Sequence, residues 1–287
     1  MNRGDGDGFA RCAQGHTHWG RFGAAGLLAH HDGRVLLQHR AKMTIGGGTW
    51  GVFGGARHSA EDPVTAALRE AAEESTLDIS RVTVHGLVHD DHGNWAYDTV
   101  VGTVPQLLDV RPASWETRDA AWAPVDEVEG YDLFPAFANT WPRLRRCLRR
   151  PVLVVDAANV MGSRADGWWR DRAGAAARLR DQVARLERVA DMGPFDLAYP
   201  EKILVVEGKA RDIGPGRDNG DSVRVVSAPH EGDDTIVDTV ASTTGPDVLC
   251  VVVTADRELR RRVIAKGAEV TGPRWLLNQL EDRVASS

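Results

Sequence analysis

Gly54-Gly55-Ala56-Arg57-His58-Ser59-Ala60-Glu61, followed seven residues later by Arg69-Glu70-Ala71-Ala72-Glu73-Glu74, is the stretch on which the reading of this chain turns. Glu70, Glu73 and Glu74 stand at i, i+3 and i+4. On a helix they share one face and repel one another by roughly 0.2–0.5 kcal/mol per pair. A cation must compensate, and hard oxygen ligands converging on one point suit a divalent ion such as Mg²⁺, or Mn²⁺, completed by water and substrate phosphates.

The same stretch carries its own helix signals. Asp62 is a good N-cap, Pro63 fits the first helical position, and Val64, Ala67, Leu68 and Ala71 recur at i, i+3, i+4 and i+7. The acidic face is therefore expected beside the buried face. Gly54 and Gly55 predict a tight loop whose backbone can approach a phosphate closely, and Arg69, four residues before Glu73, can pair with it.

Gly55, Glu61, Arg69, Glu70, Ala71, Glu73, Glu74, Thr76 and Leu77 follow the spacing of the signature of the Nudix hydrolases, which this segment resembles. One position departs from it: Thr76 stands where the signature has Gly. A β-branched residue disfavours the left-handed conformation that often closes a helix, so this helix is expected to end differently. The resemblance implies Mg²⁺-dependent hydrolysis of a nucleoside diphosphate linked to another moiety, with Glu70, Glu73 and Glu74 as metal ligands and Arg69 positioning them. The base would be a box glutamate or a carboxylate on a later loop, Glu116 or Asp119; each is by composition an ordinary loop acid. Trp50, Phe53 and Trp19 either stack on a base or fill core. The family also implies a homodimer.

At 287 residues the chain exceeds one average domain, and its 42% hydrophobic content is ordinary for globular cores. A net charge of −6 excludes a polycation that coats nucleic acid. No run approaches the length of a membrane span and no signal peptide is visible, so cytoplasm is the expectation and no membrane partner is expected. Cys12, Cys147 and Cys250 lack CxxC spacing, which argues for reduced thiols rather than a disulfide framework or zinc site. The histidines, among them His16, His18, His30 and His31, have no partner at metal-ligand spacing with Cys and read as strand or loop surface.

Phe22–Leu28 and Val35–Gln38 read as strands joined through a turn at Asp32-Gly33. Trp50–Phe53, Val82–Val88, Tyr97–Val104 and Ala121–Ala123 follow as strands, then Val125–Val128 and a helix over Phe134–Leu148. Five arginines in Arg143–Arg150 precede Pro151, where a strongly apolar run begins. Beyond it the pattern becomes strands at Val152–Val155, Ile203–Val206, Val223–Val226 and Val248–Val253, alternating with helices at Asp171–Val189, Asp234–Ala241, Arg257–Ala265 and Arg274–Val284. Such alternation indicates a parallel sheet flanked by helices. The expected organisation is a partly flexible segment over 1–20, one domain over 21–150 and another over 151–287.

The carboxyl edge of that second sheet is acidic: Asp156 and Asn159 after the first strand, Asp233, Asp234 and Asp238 after the third, and Thr254 and Asp256 after the fourth. Single acids at strand ends often merely cap helices. Three strand ends converging weaken that account, since open α/β sheets place their sites there. Asp156-Ala-Ala-Asn159, Gly232-Asp233-Asp234 through Asp238, and Thr254-Ala-Asp256 resemble the NYN branch of the PIN-like nucleases, especially its YacP-like members. The resemblance implies that Asp156, Asp234 and Asp256 hold Mg²⁺ or Mn²⁺, with Asn159 and Asp238 supporting and Glu207 a fainter member, and that RNA is cleaved. Arg164, Arg170, Arg257, Arg260, Arg261 and Arg262 could form a phosphate-binding rim or a solvated face. Trp168-Trp169 could stack a base or be buried.

The fold class is thus α/β: a Nudix α/β/α sandwich with a mixed sheet, then a PIN-like parallel sheet flanked by helices. Two other readings stand beside the two enzymes. The first domain could bind a nucleotide as a sensor regulating the second, and the second could bind RNA without cleaving it.

Overall fold

The computed structural model describes residues 4–164, 167–211, 213–214 and 223–285. It divides into two compact units: Met1–Leu148 with Pro194–Asp196, and Arg149–Gly193 with Leu197–Ser287.

The first unit is built on a mixed sheet. Strand β1 (Phe9–Arg11) pairs with β2 (Thr17–Trp19) as a separate antiparallel hairpin in the segment whose composition reads as partly flexible. The main sheet contains β3 (Ala24–His31), β4 (Arg34–Arg40), β5 (Trp50–Gly51), β6 (Phe53–Ala56), β7 (Thr83–Asp91), β8 (Ala96–Thr103) and β9 (Thr117–Pro124). β3 is its buried centre, parallel to β8 and antiparallel to β4 and β6. Asp32 and Gly33 both have positive φ (44° and 67°), the two-residue turn that matches the twist of a hairpin, and they join β3 to β4 as the sequence predicts.

Two expectations for this unit are corrected. Trp50–Phe53 is not one strand: β5 pairs with β4, whereas β6 pairs with β3. Gly54 and Gly55 lie inside β6 rather than in a loop, opposite Gly26 and Ala25. Their lack of a side chain serves close packing. A Cβ on Gly54 would lie 2.4 Å from the Ala25 carbonyl oxygen, and one on Gly55 would lie 2.5 Å from Glu70 Oε2.

Helix α1 (Pro63–Glu74) starts where its caps predict, with Asp62 accepting from the Val64 and Thr65 amides (3.0 and 3.1 Å). Its buried residues are Ala66, Ala67, Ala71 and Glu74, and the small alanines let it pack closely on β3 and β6. Val125–Gly130 is a 3₁₀ helix. The last helix of the unit, α2, spans Pro135–Leu144 and continues as a 3₁₀ turn over Arg145–Cys147.

The second unit is a five-stranded, wholly parallel sheet. Its strands are β10 (Arg150–Asp156), β13 (Glu201–Val206), β14 (Val223–Ser227), β15 (Val248–Val253) and β16 (Glu269–Thr271), in the order β14-β13-β10-β15-β16. The three central strands, β10, β13 and β15, are buried as a parallel sheet requires, beneath α3 (Ala157–Gly162), α4 (Arg172–Ala184), α5 (Gly232–Thr243), α6 (Arg257–Ile264) and α7 (Pro273–Ala285). The helix expected over Asp171–Val189 stops at Ala184, because the buried Lys202 ammonium donates to the Ala184 and Leu186 carbonyls (2.8 and 2.7 Å). Val189 instead begins β11 (Val189–Met192), which precedes β12 (Phe195–Ala198). No described helix is long and apolar enough to cross a membrane.

Candidate functional sites

In the first unit, α1 holds Glu70 and Glu74 against β6. The Gly54 amide donates to Glu74 Oε2 (3.1 Å), and the Glu70 carboxylate lies over Gly55. Arg69 organises the turn. It grips Glu61 with Nε and one terminal nitrogen (both 2.9 Å), donates to the Ala56 carbonyl (2.9 Å) and pairs with Glu70 (2.7 Å). Its contact with Glu73 is longer, 3.5 Å, and the Glu73 side chain is 60% exposed. A bidentate fork of this kind fixes orientation as well as charge. Glu61, which also accepts from the His58 amide (2.9 Å), is therefore the anchor of Arg69, a role that the spacing alone did not reveal.

The electrostatics follow from that arrangement. Hydrogen bonding to Arg69 holds Glu61 below the usual carboxylate range. Burial raises Glu70, with Arg69 opposing and Glu73 and Glu116 adding to the rise. Glu74 is pushed up to about 7 by burial and then by Glu70, partly offset by the Gly54 amide, Gln38 and the Arg40 cation. Gln38 is fully buried and donates to Thr117 (2.8 Å). A polar residue directly after the buried apolar run Val35–Leu37 was the available signal for it.

The donor set suits a hard divalent cation. It is all oxygen, it is partly buried, and the one guanidinium at its centre is already engaged with Glu61.

Glu116 lies within electrostatic reach of Glu70, at the end of the segment that meets the foot of α1. Asp119 is exposed on β9, opposite His39, with its carboxylate bonded to the Ala120 amide (2.8 Å). Trp50 is half-buried, stacked on His39 (4.5 Å, 13°) with Tyr131 against its edge. Phe53 is corrected: at 1% exposure it is core and offers no surface to a substrate. Trp19 packs edge-on to Phe9.

The helix does end differently at Thr76. Ser75 closes it in extended conformation, and Thr76 exchanges hydrogen bonds with Arg111 through its amide and hydroxyl (2.9 Å each). Ala113 donates to the Glu74 carbonyl (3.0 Å).

Two expected results come from this geometry. Gly54→Ala meets backbone and should cost about 1–3 kcal/mol, seen as a lowered Tm. Gly55→Ala meets only the end of Glu70, so Tm should change little while activity falls tenfold or more. The second result concerns pH. Glu74 binds its proton more tightly folded (about 7) than at its ordinary value of 4.5, so the stabilisation is full below about 4.5 and lost as pH rises through about 7. With chelator present, the protein should lose up to about 3 kcal/mol from this group between pH 4.5 and 8. Thermal unfolding across that range should show the loss flattened in Glu74→Gln.

In the second unit, a cleft of about 450 Å³ opens at the carboxyl edge of the sheet, lined by Asp156, Asn159, Glu207, Asp233 and Asp256 among others. The sheet order reverses between β10 and β15, where such folds place ligands. Asp156 is buried. Its two oxygens accept from the Asn159 amide (3.0 Å) and the Thr254 hydroxyl (2.9 Å), while Asn159 Oδ1 accepts from the Ala255 amide (2.8 Å). Asp256 caps α6 through the Leu259 amide (2.8 Å), and Glu207 caps α5 through the Gly232 amide (2.7 Å). Burial raises Asp156, against those hydrogen bonds, and Asp233 and Glu207 add to the rise; Asp233 is raised by burial and by Asp256.

Two ligand expectations are corrected. Asp234 is exposed and paired with Arg262 (2.5 Å), and Asp238 is exposed one turn further on, so neither lines the cleft. Asp233, one residue earlier on α5, lines the cleft instead. Arg261 pairs with Glu258 and Arg164 with Gln182, whereas Arg257 and Arg260 are exposed beside Asp256. Trp169 is 57% exposed, and Trp168 is half-buried beneath the Arg172 guanidinium.

The first unit thus presents an acidic helix, braced by a Glu–Arg fork, on a mixed sheet. The family model described as NUDIX domain matches residues 20–148. A Mycobacterium tuberculosis protein that bears the provisional name 8-oxo-dGTP diphosphatase 3 is 44% identical over 154 residues, which span 50% of this chain and 70% of the relative. The chain belongs to the Nudix family, whose hydrolases depend on divalent metal. Among solved structures, the Nudix hydrolase RenU from M. smegmatis shares 39% identity, with 50% of this chain and 94% of that chain covered and a TM-score of 0.46. Rae1 (YacP) from Bacillus subtilis covers 46% of this chain and 76% of that one at 17% identity and a TM-score of 0.36, too slight a likeness to bear on function.

Proposed function

We propose that the first unit hydrolyses a phosphoanhydride bond in a nucleoside diphosphate linked to another group, with Mg²⁺ or Mn²⁺ held by Glu70, Glu73 and Glu74. The observation that carries this is the pair of carboxylates, half-buried Glu70 and buried Glu74, crowded on β6 beside an arginine already occupied by Glu61. When bound, the cation neutralises charge on the bridging and leaving oxygens. Arg69 keeps Glu70 in place and Glu116 takes the proton of the attacking water. An oxidised deoxynucleoside triphosphate fits this substrate class, and the mycobacterial relative's name points to the same choice.

A panel of oxidised nucleotides, dinucleoside polyphosphates, ADP-ribose and capped RNA ends, assayed with Mg²⁺ for released phosphate products, tests the reading. Tight binding of one compound without turnover would favour the sensor instead.

For the second unit we propose metal-dependent cleavage of RNA. What supports it is the four-carboxylate cleft at the strand-order reversal, with Asp156 fixed by Asn159 and Thr254. Asp156, Asp233 and Asp256 would hold the cation and Glu207 would support it. Binding of RNA without cleavage in Mn²⁺ or Mg²⁺ would favour the interaction-domain reading.

A further inference from the structure

The tip of the β1–β2 hairpin meets the turn between β7 and β8. The Ala13 amide donates to the His92 carbonyl (3.2 Å), and the Asn94 amide group donates to the Arg11 carbonyl (3.2 Å). At that junction Cys12, His16 and His18 from the hairpin and His92 from the turn each bring one donor atom into a set whose members all lie within 4.8 Å of one another. Sequence spacing missed the set, because its fourth member stands 74 residues beyond His18 in the chain.

Three details favour a ligand over a chance aromatic cluster. His18 Nε2 is buried and has no hydrogen-bond partner, although its ring is held firmly by stacking on Trp95 (4.0 Å, 11°). An imidazole nitrogen stripped of water and left unpaired is costly unless something coordinates it. Cys12 is buried, with its sulfur 4.0 Å from His92 Nδ1. The other ring nitrogen of His92 faces Asp90 (3.4 Å), the carboxylate-to-histidine pairing that orients a metal-ligating imidazole.

We infer that Cys12, His16, His18 and His92 form a zinc site that clips the N-terminal hairpin to the β7–β8 turn. One thiolate and three imidazoles match the borderline-soft, four-coordinate preference of Zn²⁺ rather than the oxygen preference of Mg²⁺. Zn–N bonds of about 2.0–2.1 Å and a Zn–S bond of about 2.3 Å require the set to close by only about an ångström. Binding expels the Cys12 proton, and the turn and hairpin become one cross-linked piece. The site is separate from the carboxylates of α1, so its loading does not depend on them.

The full chain, purified without chelator, should contain one zinc per molecule by elemental analysis. Cobalt substitution should give the thiolate-to-cobalt charge-transfer band and the tetrahedral visible bands. Cys12→Ser and His18→Ala should each lose at least nine-tenths of the zinc, while Glu70→Gln and Glu74→Gln retain it. Circular dichroism of the same samples separates ligand loss from unfolding. Folded wild-type protein that takes up cobalt without a thiolate band, or holds no zinc after incubation with excess, would overturn the site. So would stoichiometric zinc in the Cys12→Ser/His18→Ala double variant.

Discussion

Glu74→Gln and Glu70→Gln are each expected to lower pyrophosphohydrolase turnover by about a hundredfold or more at saturating substrate, the size usual for loss of a catalytic acid, base or ligand. The fold should survive. Gln keeps the shape of the side chain, and at Glu74 it removes a charge that burial already disfavours, so Tm near pH 8 should hold or rise in metal-free protein. Glu73→Gln should be damaging for activity but neutral for stability, because its side chain lies mostly in solvent. Steady-state kinetics over a Mg²⁺ series distinguishes a lost ligand, which raises the metal requirement, from a lost base, which lowers kcat at every metal concentration. Near wild-type rates in both Glu70→Gln and Glu74→Gln would remove the assignment.

Asp156→Asn should abolish RNA cleavage by the second unit, with a loss of a hundredfold or more in Mn²⁺ or Mg²⁺. The substitution keeps the acceptor for the Asn159 amide or the Thr254 hydroxyl and removes the charge that would hold a cation. Asp233→Asn should act similarly, and Asp234→Asn should not, since its carboxylate faces Arg262 outside the cleft. The contrast between neighbours is the sharper measurement: equal losses at 233 and 234 would argue against the cleft as the catalytic centre.

Much of this architecture could be read before any coordinates. Asp62 and Pro63 start α1 at the residue they predict, and Asp32-Gly33 makes the hairpin because both positions demand positive φ. The alternation of valine runs and helices after Pro151 foretold a parallel sheet. What escaped was decided by long-range pairing or by a single helical step. Whether Gly54 and Gly55 are loop or strand depends on β3, nearly thirty residues earlier, whose backbone their missing Cβ atoms admit. Asp233 and Asp234 both sit in the first turn of α5, and only the seating of that helix on the sheet, through Ile236, Val237 and Val240, chooses which one faces the cleft.

Where its relatives' signature has a flexible glycine, this chain has sewn the foot of the acidic helix to the strip leading toward Glu116. Thr76 grips Arg111 twice, and Ala113 hangs from Glu74 itself. The segment that carries Glu116, the base proposed above, is therefore tied by backbone to the helix that carries Glu70 and Glu74. On that reading, movement of the base away from the carboxylates would have to break the Thr76–Arg111 and Ala113–Glu74 bonds that join the two segments.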